Sequence, residues 1–300
     1  QSGGTITAHP VPDDDDGGHG SRPPRPRPPR PPRPPPVTIY PKPESLDRRI
    51  RNLEALGNGV FIGNVLASYM ALPGLVGFWP MSSIQRSTGN VYDLSGQGRA
   101  LTYNGNPAYT YYNGLVPYID LDGTGDFLSR ADETDLDILG NGENGIYTSG
   151  AAGLTVGGWF WSDTSGASEG LISKDNNSTQ RSYLLLWSST NNIQMFISND
   201  GTATTGVTST VLCTTGTWYF VVGRFTPSTE LAVFVNQTST TTGAGIPASI
   251  FNSTTALNIG GLNGTVLLNG RAALVFLCAN ALGDDLISSL FQSSRVLFSV

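Results

Sequence analysis

The chain has 300 residues, of which 38% are hydrophobic and only 13% charged, so it is neither a membrane bundle nor a charge-rich disordered chain. Its 37 glycines and 20 prolines follow no Gly-X-Y period, which excludes collagen. The net charge of −6 is unevenly spread: residues 1–84 carry nine basic and seven acidic side chains, and residues 85–300 carry eight and sixteen. A lysine-poor, acidic C-terminal part argues against nucleic acid as a partner, because phosphate binding runs on clustered Lys and Arg. The two histidines are His9 and His19, so no His-dependent triad or His-ligated zinc site can be built beyond residue 20.

The chain opens on Gln1, which reads as a processed or incomplete start, and shows no signal peptide. Fourteen of the twenty prolines lie between Pro10 and Pro43. The run from Arg22 to Pro36 lacks the N–H donors a helix or central strand needs, and should be a polyproline II arm. At about 3.1 Å per residue it would reach about 46 Å. With three residues per turn, Arg27, Arg30 and Arg33 stack on one edge and Arg22 and Arg25 on the next. This is either a stiff solvated spacer or a basic stripe that docks on a larger assembly.

Residues 45–56 read as a helix that starts at Ser45 and stops before Gly57, with Leu46, Ile50 and Leu53 on one apolar face. So short a helix must pack, either on its own domain or in a short parallel coiled coil. A second helical segment is expected at about 64–71, before Pro73. The uncharged stretch 55–85 contains Asn58, Asn64, Ser68, Pro73 and five glycines, and no membrane span is expected there.

From Leu75 the pattern changes to short period-two runs separated by Gly, Asn, Ser and Thr. Strands are expected at about 75–79, 100–103, 118–121, 127–130, 154–161, 170–174, 183–187, 193–198, 209–213, 218–225, 231–235, 257–260 and 271–277. A short helix should follow at 283–292. A dozen short strands without intervening helices make an all-β sandwich of the jelly-roll type. The expected organisation is an extended arm (1–43), a short helical connector (44–73) and one jelly-roll domain (74–300). Cys213 and Cys278 match no metal or redox spacing and are either a disulfide or two buried thiols.

Glu133-Thr134-Asp135-Leu136-Asp137 is a near miss of the Glu-x-Asp-x-Glu strand motif of some endoglycosidases, in which carboxylates at i, i+2 and i+4 share a face. The shortened last side chain and the expected loop location argue against catalysis. Sugar binding needs aromatic faces and planar polar groups, and Tyr111 and Tyr112 in a loop with Tyr109, and Trp161, Arg181 and Trp187 at strand ends, are the candidates.

Seven blocks carry a resemblance. They include Gly74-Leu75-Val76-Gly77-Phe78-Trp79-Pro80, Asp93-Leu94-Ser95-Gly96-Gln97-Gly98, Ile119-Asp120-Leu121-Asp122-Gly123-Thr124-Gly125-Asp126-Phe127-Leu128 and Trp218-Tyr219-Phe220-Val221-Val222-Gly223-Arg224-Phe225. In this order they resemble a concanavalin A-like, laminin-G-type jelly roll from about residue 75 to 292. The resemblance implies carbohydrate or protein binding, often with a structural calcium ion. Asp93, Asp122 and Asp126 are the loop oxygens that would hold calcium, although Arg271-Ala272-Ala273 stands where late acidic ligands are expected. The combined expectation is a non-enzymatic carbohydrate-binding or adhesion protein, extracellular or on a virion, of the phage tail-fibre or decoration type. It would be a homo-oligomer, with a trimer preferred, attached to a capsid, tail or filament by its arm. A purely structural surface subunit is the alternative.

Overall fold

Period-two patterning builds two antiparallel sheets, in a computed structural model that describes residues 59–81, 84–85, 90–139 and 153–300. The first strands are β1 (Leu75–Trp79), β2 (Ile84–Gln85), β3 (Asn90–Val91), β4 (Leu101–Asn104), β5 (Ala108–Tyr112), β6 (Val116–Asp122) and β7 (Phe127–Arg130). Next come β8 (Leu154–Ser162), β9 (Glu169–Asp175), β10 (Arg181–Trp187), β11 (Asn192–Ile197) and β12 (Thr205–Leu212). The last are β13 (Tyr219–Thr226), β14 (Glu230–Val235), β15 (Thr238–Thr242), β16 (Leu257–Ile259) and β17 (Asn269–Cys278). Helix α1 (Gly59–Met70) precedes them and α2 (Asp284–Ser294) follows. The arm residues and the expected helix at 45–56 lie outside the described residues.

One sheet runs β15-β14-β13-β8-β17-β6-β5 with β1 also on β17, and the other runs β12-β11-β10-β9-β16-β7-β4-β3-β2. Between them lies a core that includes Val156, Phe160, Leu185, Met195, Val221, Phe225 and Val233. The first sheet is buried on its other face as well. There Trp159, Phe220, Val222, Phe276 and Cys278 pack with Ile62, Val65 and Tyr69 of α1 and Leu290 and Phe291 of α2. Helices therefore cover the first sheet's outer face and satisfy its second apolar row, which explains near-continuous burial along β8 and β17. The Trp159 indole N–H donates to Ser294 Oγ at 3.0 Å, and its ring stacks 4.2 Å from Phe298.

The long strand β17 pairs with β6 through residues 269–272 and with β1 through 275–278. The change of neighbour falls at a bulge, where Leu274 has a φ of +48° and the register against β8 shifts between Ala273 and Phe276. The bulge places Ala273 and Leu274 together on the helix-covered side, while Ala272 and Val275 face the inter-sheet core.

Three expectations change. The tyrosine cluster expected in a loop is strand β5, and Thr238–Thr242, not expected as a strand, is β15. Both are edge strands with little burial, so the alternation that marks a half-buried strand is missing. The second helix starts at Gly59, five residues earlier than its expected start at 64.

Candidate functional site

Alternation along β10 and β11 sends Tyr183, Leu185 and Trp187, with Ile193, Met195 and Ile197, into the core. It sends Leu184, Leu186, Gln194 and Phe196 to the outer face of the nine-stranded sheet. There they floor a groove of about 270 Å³, closed at one end by Asp175, Asn177 and Arg181 and at the other by Ser168, Leu262 and Val266. Phe196 lies across from Gly206, and a Cβ at Gly206 would sit 2.5 Å from its ring, so the glycine makes room for the aromatic floor. Gln194 is anchored by its Nε2, which donates to Thr208 Oγ1 at 3.1 Å.

The polar end is held by its own hydrogen bonds. Arg181 Nη2 donates to the Asn177 carbonyl at 3.0 Å and to Asn177 Oδ1 at 2.6 Å, and Asp175 Oδ1 accepts the Asn177 N–H. Burial pushes the Asp175 carboxyl above the usual carboxylate range, against the pull of the Asn177 N–H and Arg181. The groove thus combines an apolar floor with one cation, one carboxylate and two amides, a composition that suits a ligand with one apolar face and several hydroxyls.

Arg181 is the one sugar-binding candidate that this groove contains. Trp187 is fully buried, edge-on to Tyr219 at 5.8 Å, and does not reach the surface. Trp161 and Tyr112 come together on the other sheet, each against the buried Trp218 at 5.9 Å. There the Arg271 guanidinium lies 4.5 Å over Trp161 and 5.4 Å over Tyr118, between Asp120 and Asp163. Tyr111 stands apart at the β5 edge, 42% exposed and edge-on to Tyr109. Leu184, Leu186, Gln194 and Phe196 were not legible as site residues, because nothing local separates a groove floor from a core row. The usable signal was Gly206 opposite Phe196, which needs the strand register to be read.

Asp93 is consumed by the backbone. Its Oδ1 accepts from Phe78 N at 2.9 Å and Ser95 N at 2.8 Å, and its Oδ2 accepts from Ser95 Oγ at 2.6 Å and Arg99 N at 2.9 Å. Asp122 accepts from Thr124 N at 2.7 Å and Asp126 from Asn106 N at 2.6 Å; both line a second pocket with Asp120 and Asn269, and Asp93 does not. Among the described residues no three His, Cys, Asp or Glu side chains gather in a metal-holding group. Of the three aspartates expected to offer oxygens to calcium, Asp122 and Asp126 share a pocket and Asp93 lies outside it.

The acidic near-motif is an ion-pair knot. Residues Thr134–Leu136 form a 3-10 turn, so Glu133, Asp135 and Asp137 do not share a strand face. Arg99 reaches Asp135 at 2.7 Å and Glu133 at 3.5 Å, while the buried Lys174 reaches Asp132 at 2.5 Å and Asp137 at 3.4 Å. Arg130 adds a second contact to Glu133 at 2.8 Å. Each of these carboxylates is thus ion-paired, with Arg99 and Lys174 as the buried cations.

Residues 141–287 match the model of the concanavalin A-like lectin/glucanases superfamily. The sandwich has a concanavalin A-like jelly-roll fold. Similar solved structures include the binding domain of Paraclostridial Mosquitocidal Protein 1, at 11% identity and a TM-score of 0.56, over 73% of this chain and 52% of that one. The botulinum neurotoxin serotype G binding domain is similar at 10% identity and a TM-score of 0.55, over 73% and 50%. A botulinum neurotoxin DC binding domain in complex with SialylT is similar at 13% identity and a TM-score of 0.52, over 73% and 51%. The chain spans about half the length of these structures, and at such identities the likeness is one of fold. No curated protein matches the sequence. No helix among the described residues is long and apolar enough to cross a membrane.

Proposed function

We propose that the jelly roll is a non-enzymatic carbohydrate-binding adhesion module that takes a glycan in the groove over Leu184, Leu186 and Phe196. The observation that carries this reading is the groove itself, an apolar floor of Leu184, Leu186 and Phe196 with Arg181, Asn177, Asp175 and Gln194 around it. Solved structures of the same fold support it: a botulinum neurotoxin DC binding domain is in complex with SialylT, and cell entry of botulinum neurotoxin type C depends on interaction with two ganglioside molecules. The ion pairs that tie Asp132, Glu133, Asp135 and Asp137 to Lys174, Arg99 and Arg130 support the non-enzymatic reading. The test is a glycan array probed with the full chain and with Phe196→Ala and Arg181→Ala. Binding that both substitutions weaken supports the groove; binding that neither changes places recognition elsewhere.

In this proposal the module works outside the cell, as part of a virion or another extracellular particle of the phage tail-fibre or decoration type. The Pro/Arg arm attaches it, and the Leu46/Ile50/Leu53 face makes a trimer that presents several weak sites together, raising avidity through effective concentration. Deleting residues 1–43 should abolish incorporation into the particle and leave the remaining protein folded. A purely structural subunit would bind no glycan on the array.

A further inference from the structure

One wall of the groove rests on a buried carboxyl group that the binding reading does not use. Glu169 begins β9 and is 1% exposed. Its Oε1 accepts the Asn269 N–H at 3.1 Å, while its Oε2 is buried without a hydrogen-bond partner. Its neighbours tie the groove wall together. Ser168 lines the groove, Gly170 N donates to the Val266 carbonyl at 2.8 Å, and Val266 and Leu262 form the same wall. Asn269 closes the loop that carries them; its carbonyl accepts from Asp163 N at 2.8 Å and its Nδ2 donates to Thr164 Oγ1 at 2.7 Å.

The wall is packed tightly and is strained. A Cβ on Gly170 would lie 2.6 Å from the Gly261 carbonyl carbon, and Val266 holds a φ of +48°, an unfavourable region for a β-branched residue. Such a loop keeps its shape only while its surroundings hold it. An ionised carboxylate at Glu169 has the Asn269 N–H on Oε1, no hydrogen-bond partner on Oε2, and beside it a Ser162 hydroxyl that also donates to the Thr164 carbonyl, so it is poorly compensated; a neutral acid costs far less to bury.

We infer that Glu169 is a proton-operated brace: neutral, it fixes Ser168 and the 262–268 loop as the groove wall, and ionised, it lets that wall loosen. Burial raises this carboxyl from its ordinary 4.5 to about 7, opposed by the Ser162 hydroxyl and the Asn269 N–H and reinforced by the charge of Asp163. The elements around it bring little else that is charged. β8 leads into Asp163, which lies 3.9 Å from Arg271 of β17; β10 brings Trp187 opposite Glu169; and residues 262–268 contain no titratable group.

The sign follows from the closed wall holding its proton more tightly than the open one. Below about 4.5 both forms are protonated and the brace is at full strength; between about 4.5 and 7 it weakens as pH rises; above 7 it stays weak. The groove's affinity should follow, a consequence that rests on the groove being the glycan site.

The test compares the full chain with Glu169→Gln by hydrogen exchange of residues 163–170 and 262–270 from pH 5 to 8, corrected for intrinsic exchange. Wild-type protection should fall by up to about tenfold per pH unit to pH 7 and then level off, while Glu169→Gln stays flat. Equal pH dependence in the two proteins overturns the brace. Carboxyl-carbon NMR of wild type serves if the variant does not fold: a Glu169 midpoint near 7 supports the brace, and one near its ordinary 4.5 overturns it. Neither measurement needs a sugar. A titrating brace without glycan binding defeats the proposed function alone, and glycan binding with a pH-independent wall defeats the brace alone.

Discussion

Lys174 offers a sharp test of the view that the 132–137 segment is structural. Its ammonium is 1% exposed and touches Asp132 at 2.5 Å, Asp137 at 3.4 Å and the Ser253 carbonyl. Lys174→Met keeps the stem's packing, removes the charge and leaves two carboxylates facing each other. Breaking a buried pair from one side costs about 3–5 kcal/mol. Asp132 and Asp137 are 31% and 16% exposed, so water screens part of this and a loss of about 3 kcal/mol is expected. Burial already raises the Asp137 carboxyl against the pull of Lys174, so removing the lysine raises it further. The deficit should therefore be largest at pH 7 and shrink as acid protonates Asp137. Urea unfolding at pH 7 and pH 4 measures both, and adding Asp137→Asn should recover part of the loss. A deficit below about 1 kcal/mol at pH 7, or one equal at both pH values, would refute the knot.

Asp93→Ala removes an acceptor of four hydrogen bonds and should cost about 2–4 kcal/mol in urea unfolding, with no recovery on adding calcium. Trp159→Ala should cost about 3–5 kcal/mol and expose the C-terminal helix to protease, because Phe291 and Phe298 lose the ring they stack on. Cys213 and Cys278 are free and buried, and burial pushes the Cys213 thiol up to about 12 and raises Cys278 as well. A thiol reagent at pH 8 should label neither until the protein unfolds, and a reductant should leave the melting temperature unchanged.

Strands bounded by strong turn chemistry were readable residue by residue: β1 and β7 occupy the expected 75–79 and 127–130. Strand faces were harder. In Tyr183-Leu184-Leu185-Leu186-Trp187 no polar residue marks the outer row, so Trp187 could not be separated from a surface aromatic, although it is core. Along β8 both faces are buried, one by the partner sheet and one by helices, which erases alternation altogether. The site depends on register across strands: Phe196 beside Gly206, Leu186 beside Gln194, Ser168 beside a loop a hundred residues later. Glu169 gave no sequence signal, since its meaning comes from what buries it.

The most direct test of the account is glycan binding by the full chain and a Phe196→Ala/Arg181→Ala double variant, with melting measured in parallel. Wild type should retain a defined class of glycans. The double variant should lose at least about tenfold in affinity, the effect of about 1.4 kcal/mol, while still melting cooperatively. Undiminished binding by the double variant, or no glycan bound by wild type, would contradict the account.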